Sequence, residues 1–281
     1  MRNFFVSYGV SMNRTPEAGF IASEFHKYAE HYDRHVLVQR RVVTQLAGSV
    51  ELHLDRAPEH ILDVGTGTGA LLEQLQVCYP SARLTGVDIA LNMCLKSQQK
   101  MGAYSQIVNG TVEALPFKAD TFDLVVSASV LQWVSDLPAA IREIYRVVTP
   151  GGYIGIAFFC RGSLHELHQC LSEVTVGGSS KMSRLHRFWT VDDVTEIISR
   201  LGFASSVISV ETEVDWYDDL YSLLRAIKSI GAGAVSGGTE LGLGWRGLLQ
   251  ETSRRYQKLY GVNDRIPATY KVLYLAGRTV G

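Results

Sequence analysis

The sequence lacks most of what would mark a specialised class of protein. Cysteine is scarce, with four residues (Cys78, Cys94, Cys160 and Cys170), no C-x-x-C pair and no histidine at zinc-ligand spacing beside them. That argues against a disulfide scaffold and a structural metal, and it predicts buried, reduced thiols in a cytoplasmic protein. Neither sign of charge is in excess: 27 Lys and Arg stand against 28 Asp and Glu. No overall basic field therefore points to nucleic acid. Long apolar runs are also missing. The uncharged stretches Leu124–Ser135 and Val147–Cys160 are too short and too polar to span a bilayer, and Pro150-Gly151-Gly152 interrupts the second. Residues 1–15 offer only Phe4-Phe5-Val6 as an apolar triplet, which is no secretory signal, and read as a flexible tail. There is no internal repeat and no low-complexity linker.

What is present is apolar material for a large core, 46% of 281 residues. Residues 16–281 read as a single domain. Thr15-Pro16-Glu17 has the pattern of a helix start, with Thr as N-cap and Pro in the first turn. Helical spacing then runs from about Ala18 to Leu52 in two pieces, carried by Phe25, Ala29, Tyr32, Val36 and Gln39. Beyond it, strands at His60–Val64, Arg83–Val87, Gln106–Val108, Phe122–Ala128 and Tyr153–Phe159 alternate with helices at Ala70–Cys78, Asn92–Met101 and Leu137–Val148. That order calls for an α/β fold, a parallel sheet with helices on both faces. A helix at Thr190–Leu201 and strands at Ser206–Glu213 and Tyr270–Gly277 follow. Two late insertions, about 161–189 and 215–267, should reach over the carboxyl edge of the sheet as a substrate lid; the first reads as irregular, and the second holds the glycine-rich Gly231–Gly247.

The most informative stretch is Ile61-Leu62-Asp63-Val64-Gly65-Thr66-Gly67-Thr68-Gly69. A buried strand runs into three alternate glycines and then a helix, which lets a ligand approach the backbone beside a helix N-terminus. Gly65-x-Gly67-x-x-Ala70, with Asp88 about 20 residues on, also satisfies a dinucleotide fingerprint, so the glycines alone leave NAD and S-adenosylmethionine both open. Asp63 separates them. A pyrophosphate beside this strand tip would meet a fixed negative charge, whereas the ammonium and sulfonium of S-adenosylmethionine would be attracted to it. Asp88 ends the second strand, with two oxygens for two ribose hydroxyls. Gly110–Phe117 follows the third strand and is placed to line the adenine, and Ser127–Trp133 ends the fourth at the edge where chemistry should occur. The cofactor residues expected around these motifs are Asp63, Gly65, Thr66, Gly67, Gly69, Asp88, Ile89, Thr111, Val112, Glu113, Ser127 and Gln132.

Together the motifs resemble the class I S-adenosylmethionine-dependent methyltransferases over about Ile61–Phe159, which implies a seven-stranded Rossmann-like sheet with an antiparallel last strand. A narrower resemblance covers most of the chain. Phe25-x-x-x-Ala29-x-x-Tyr32-Asp33 with Gln39-Arg40, Leu131-Gln132-Trp133, Arg142–Val147, Gly162–Gln169, His186-Arg187-Phe188, Leu224–Ala232 and Pro267–Tyr270 are similar to the malonyl-[acyl-carrier protein] O-methyltransferases of biotin synthesis. At Thr111 the sequence departs from an Asp often found there; threonine can still accept a hydrogen bond from an adenine amino group.

The resemblance implies methyl transfer from S-adenosylmethionine to the free carboxylate of a malonyl thioester, the step that starts pimeloyl synthesis. Such a carboxylic acid has a pKa near 4, roughly that of Asp or Glu, so no general base is needed and no catalytic residue beyond positioning groups is expected. Arg225 is the first candidate for the acceptor carboxylate, with Arg187 and Lys228 behind it. Phe188 and Trp133 are candidate acceptor walls, and Tyr32 a candidate cover for the cofactor. His165 and His168 read as structural. The implied partner is an acyl carrier protein bearing malonyl-phosphopantetheine, or malonyl-CoA; Arg40-Arg41, Arg184 with Arg187, and Arg254-Arg255 with Lys258 are basic clusters that could meet an acidic carrier. Two other enzymes, a methyltransferase of a small aromatic or quinone precursor and an NAD-linked reductase, and a non-catalytic methyltransferase-like scaffold are the alternatives.

Overall fold

In β1 (His60–Val64) Ile61, Leu62, Asp63 and Val64 are all buried, because neighbours pair on both sides and helices cover both faces. The computed structural model describes residues 18–28, 37–174, 188–229 and 243–281. The helix start at 15–17 and residues Ala29, Tyr32, Val36, Arg184 and Arg187 lie outside these. The early elements are α1 (Ala18–Tyr28) and α2 (Leu37–His53). After β1 come α3 (Ala70–Cys78), β2 (Arg83–Asp88), α4 (Leu91–Met101), β3 (Ser105–Asn109), β4 (Phe122–Ala128), α5 (Leu137–Val147) and β5 (Val148–Phe159). The later part holds α6 (His165–Val174), α7 (Val191–Leu201), β6 (Ser205–Tyr217), α8 (Leu220–Ser229), α9 (Leu243–Tyr260) and β7 (Ile266–Arg278).

The seven strands lie in the order β3-β2-β1-β4-β5-β7-β6. β1 to β5 are parallel, and β7 is antiparallel to both β5 and β6. β6 therefore points the same way as β5. The connections after β5 and β6 both leave from the carboxyl edge, the edge at which β1 delivers its glycines.

Alternation along the strands feeds two cores. Tyr153, Ala157 and Phe159 of β5 join Val42, Leu46, Leu72, Leu167, Leu223 and Tyr256 on one face. Ile154, Ile156 and Phe158 join Ile141, Ile144, Val194 and Ile198 on the other. Local signals set the helix ends. Asp136 caps α5, accepting from Ala139 N at 2.8 Å, with a proline in the first turn. Thr190 and Asp193 form a reciprocal capping box at α7, which ends at Gly202 with φ 70°.

Several expectations need correction. The stretch after β5 is not wholly irregular: it contains α6, clasped to β7 where the buried Glu166 accepts from Thr269 N and Oγ1. β5 starts at Val148 and carries the Pro-Gly-Gly segment within it, because a register shift against β4 absorbs the irregularity. β6 continues to Tyr217 and β7 begins at Ile266, so the second connection is shorter than expected and contains α8 and α9. Their pairing runs unbroken from Ser205↔Arg278 to Tyr217↔Ile266, and such a ladder cannot be read from local propensity. Cys78 is exposed, whereas Cys94, Cys160 and Cys170 are buried; all four are free thiols. Among the described residues no helix is long and apolar enough to cross a membrane, and no three His, Cys, Asp or Glu residues are grouped to hold a metal.

Candidate functional site

The site begins where β1 ends. Gly65, Gly67 and Gly69 have φ of 72°, 55° and 83°, a left-handed conformation in which side chains are strained. Their needs differ beyond that. A Cβ on Gly65 would lie 2.1 Å from Val130 Cγ2, and one on Gly69 would lie 2.8 Å from Ser97 Oγ. Gly67 meets nothing within 4 Å and lines the open cleft. So Gly65 admits the chain after β4, Gly69 admits α4, and Gly67 leaves the backbone open to a ligand.

Asp88, at the tip of β2, is fastened to this loop. Its Oδ2 accepts from Gly67 N at 2.9 Å and its Oδ1 from Ala90 N at 2.8 Å. Each oxygen keeps a lone pair for a further donor. Burial pushes the Asp88 carboxyl up to about 6, and the backbone bonds offset only part of that. Asp63 is 2% exposed and is pushed higher, to about 7, chiefly by burial and further by the charge on Asp88. The nearby Thr66 hydroxyl counters this only in part, and Oδ2 of Asp63 has no hydrogen-bond partner. A buried acid left unpaired is costly, and an incoming cation would relieve it.

Two clefts meet at the glycine loop. The first, about 780 Å3 including its mouth, is walled by Phe25, Val87, Ile89, Met93, Val112 and Trp133, with Asp88 and Thr111 as polar groups. That combination suits an adenosine. The Phe25 and Trp133 rings meet edge to face at 6.0 Å. The second cleft is polar, lined by Asp63, Thr66, Thr68, Ser129, Gln39 and Arg40. Oγ of Ser129 is buried there without a partner, as is Asp63 Oδ2. Unsatisfied groups of this kind, with an acid and an arginine in one cleft, suit the zwitterionic end of an amino acid. The residues present therefore fit S-adenosylmethionine: apolar walls for the base, Asp88 for the ribose, Asp63 for the ammonium and Arg40 for the carboxylate.

Not every expected residue faces a cleft. Ser127 is fully buried and its Oγ donates to Val64 O at 2.9 Å, so it ties β4 to β1. Gly69 serves helix packing. Gln132 is buried and donates from Nε2 to Ser129 O at 2.8 Å, holding Ser129 at its positive φ of 60°. Glu113 lines the first cleft but also binds it together, accepting from Thr111 Oγ1 at 2.8 Å, Ser135 Oγ at 2.9 Å and Ser135 N at 3.0 Å. Burial pushes its carboxyl up, but these hydrogen bonds outweigh burial and hold it below its ordinary value. Thr111, donating to Glu113, keeps its lone pairs for a donor in the cleft.

Of the residues expected at the acceptor, Phe188 is half-buried against the same core as Trp133 but lines neither cleft. Arg225 and Lys228 are exposed on α8 and line neither cleft, because α8 turns Leu220, Leu223 and Ile227 into the core. Their exposed place on α8 leaves the acceptor role expected of Arg225 a proposal. Tyr32 and Arg187 lie outside the described residues. Gln39, Arg40 and Ser129 were missed as site residues. The signal for Ser129 was available: β4 ends at Ala128, and the first residue past a strand end is the one released towards the cleft. No His, Cys or Tyr is among the described residues lining either cleft; the titratable groups there, Arg40 apart, are Asp63, Glu73, Asp88, Lys100 and Glu113.

A family model described as "Methyltransferase domain" matches residues 62–156, from β1 into β5. Among solved structures, the YcgJ protein of Bacillus subtilis superposes with a TM-score of 0.58 at 17% identity, over 85% of this chain and 99% of that one, a likeness of fold. The malonyl-[acyl-carrier protein] O-methyltransferase of Geobacter sulfurreducens is 37% identical over 264 residues, covering 92% of this chain and 97% of that protein. That of Gallionella capsiferriformans is 31% identical, covering 89% and 87%. Likeness of this extent takes in far more of both chains than the shared sheet, and it places the present chain in the malonyl-[acyl-carrier protein] O-methyltransferase family.

Proposed function

We propose that this protein methylates the free carboxylate of a malonyl thioester carried on an acyl carrier protein. The observation that carries the reading is the identity to the Geobacter sulfurreducens enzyme along nearly the whole of both chains. The chemistry of the site agrees. S-adenosylmethionine supplies an electrophilic methyl on a cationic sulfur. Asp63 and Asp88 fix the donor through its ammonium and its ribose, and Phe25 and Trp133 close the adenosine cleft. The nucleophile is a carboxylate already ionised at neutral pH, so no proton has to be taken from it before attack. What the chain contributes is orientation and the exclusion of water, worth several kcal/mol when the reacting atoms are held in line. Trp133, half-buried in the first cleft, is the aromatic wall offered to the acceptor.

Esterification has a physical purpose. A malonyl carboxylate cannot enter the apolar tunnel of a fatty acid synthase without a large desolvation cost, and the methyl ester removes the charge. The masked thioester can then be elongated towards a pimeloyl chain for biotin.

The test is mass spectrometry of malonyl carrier protein incubated with the enzyme and S-adenosylmethionine. A gain of one methyl on the malonyl group is expected, lost in Asp63→Asn. Methylation of a phenolic acceptor but not of malonyl thioesters would overturn the assignment.

A further inference from the structure

The two helices of the connection between β6 and β7 carry an unbalanced charge in an otherwise balanced chain. α8 contains Arg225 and Lys228 and no acid; α9 contains Arg246, Arg254, Arg255 and Lys258 against the single acid Glu251. Their placement is ordered. Tyr221, Arg225 and Lys228 recur at i, i+4 and i+7, and Arg246, Gln250, Arg254 and Lys258 recur every fourth residue, so each set forms one stripe down its helix. All seven residues are exposed. Tyr221 of the first stripe and Gln250, Arg254 and Lys258 of the second line one shallow groove, together with Gln257 and Asp219.

Three acids lie near the stripes. Asp219 caps α8, accepting from Ser222 N at 2.6 Å, and Asp218 is exposed and lies 3.7 Å from Arg265. Glu251 lies 3.3 Å from Arg254, but both side chains are more than half exposed and such a pair is weak. A competing basic cluster is already used: Arg41 is bound to Glu213 at 2.5 Å and to Asp215 at 2.7 Å on β6. Both helices also sit on the correct edge. They join the carboxyl end of β6 to the start of β7, on the edge where β1 presents Gly65 and β2 presents Asp88.

We propose that the α8–α9 face is the docking surface for the carrier protein, an acidic helical partner whose phosphopantetheine arm delivers the malonyl group to the cleft. This rests on the proposed function and adds to it where the partner sits and which side chains meet it. Arg246, Arg254 and Lys258 meet carboxylates on the partner, and Tyr221, 43% exposed, offers an apolar contact in the groove. Charges at such a rim act mainly on encounter and are screened by salt.

The test compares two substrates that share a reacting group, malonyl carrier protein and malonyl-pantetheine, which has no protein surface. In the triple variant Arg246→Gln/Arg254→Gln/Lys258→Gln, KM for the carrier-bound substrate should rise at least tenfold. kcat, and both constants for malonyl-pantetheine, should stay within about twofold, and the salt dependence of the carrier reaction should flatten. Arg56→Gln/Arg83→Gln/Lys118→Gln removes the same charge from exposed residues elsewhere and should leave KM near its starting value. An unchanged KM in the first variant, or an equal rise in the second, would overturn the docking surface. A fall in turnover of both substrates by the first variant would overturn it too, as damage to fold or cleft. If the unaltered enzyme methylates neither substrate, the proposed reaction falls instead. Calorimetric binding of malonyl carrier protein to the two variants then reads the surface by itself, and equal affinity for both would reject it.

Discussion

Asp63 is where function and stability pull against each other. Its carboxyl is buried, lacks a partner for Oδ2 and is held up at about 7. The free chain thus keeps a group that would be more comfortable in water, and either a proton or a cation in the second cleft would relieve the mismatch. Asp63→Asn should remove donor binding and at the same time stabilise the free protein at pH 8, by roughly 2–4 kcal/mol if the raised carboxyl is fully relieved. Thermal unfolding at pH 8 beside calorimetric titration with S-adenosylmethionine separates the two effects. A variant that binds the donor normally, or that melts lower than its parent, contradicts this account. Gln132 shows a related division of labour, acting on the cleft through the backbone of Ser129.

At the scale of elements, the turn from β1 into α3 shows that three similar glycines do different things. Gly65 needs its missing side chain because Val130 occupies that space, whereas Gly67 faces open cleft. Gly65→Ala should therefore cost about 2–4 kcal/mol, from overpacking added to backbone strain. Gly67→Ala should cost only about 1 kcal/mol of stability from its positive φ, yet it should weaken the donor by narrowing the approach. Denaturant melts and binding titrations of the pair measure both quantities; equal destabilisation would refute the distinction. This turn was readable in the sequence because all its determinants are local: a buried strand, alternate glycines and an apolar helix within about twenty residues. β6 was only half readable. From Glu213 to Tyr217 its burial alternates, but with the apolar Val214 and Trp216 exposed and the acids Glu213 and Asp215 half-buried, and its extent is decided by pairing with β7 far along the chain. The exposed position of Arg225 was hard to read for the same sort of reason. Its spacing was plain, but which side of α8 turns inward depends on a core assembled by five other helices and the sheet.

For the whole molecule, the two raised carboxyls give the fold a definite response to pH. Asp63 at about 7 and Asp88 at about 6 both lie above the ordinary carboxylate value. Between about pH 4 and 7 the folded chain holds protons that the unfolded chain has released. Stability from these groups is therefore greatest below pH 4, falls as pH rises through the window and levels off above 7. The donor responds in the opposite sense, since its cationic end needs Asp63 ionised. The rise in melting temperature produced by a fixed concentration of S-adenosylmethionine should therefore grow from pH 5 to pH 8 and then flatten. A rise that is constant across this range, measured in matched ionic strength, would remove Asp63 as the cation's partner.

The position of β7 in the sheet has a consequence for how the molecule is made. β7 follows β6 in the sequence, yet it lies between β5 and β6, and among the described residues β6 pairs with no other strand. On the ribosome the parallel part of the sheet can assemble as it emerges, while β6 must wait without a neighbour until β7 is synthesised. The nascent chain thus passes through a stage in which β5 has an open margin and β6 is a loose ribbon. The acidic side chains Glu211, Glu213 and Asp215 on that ribbon would keep two such chains from joining before the closing strand arrives.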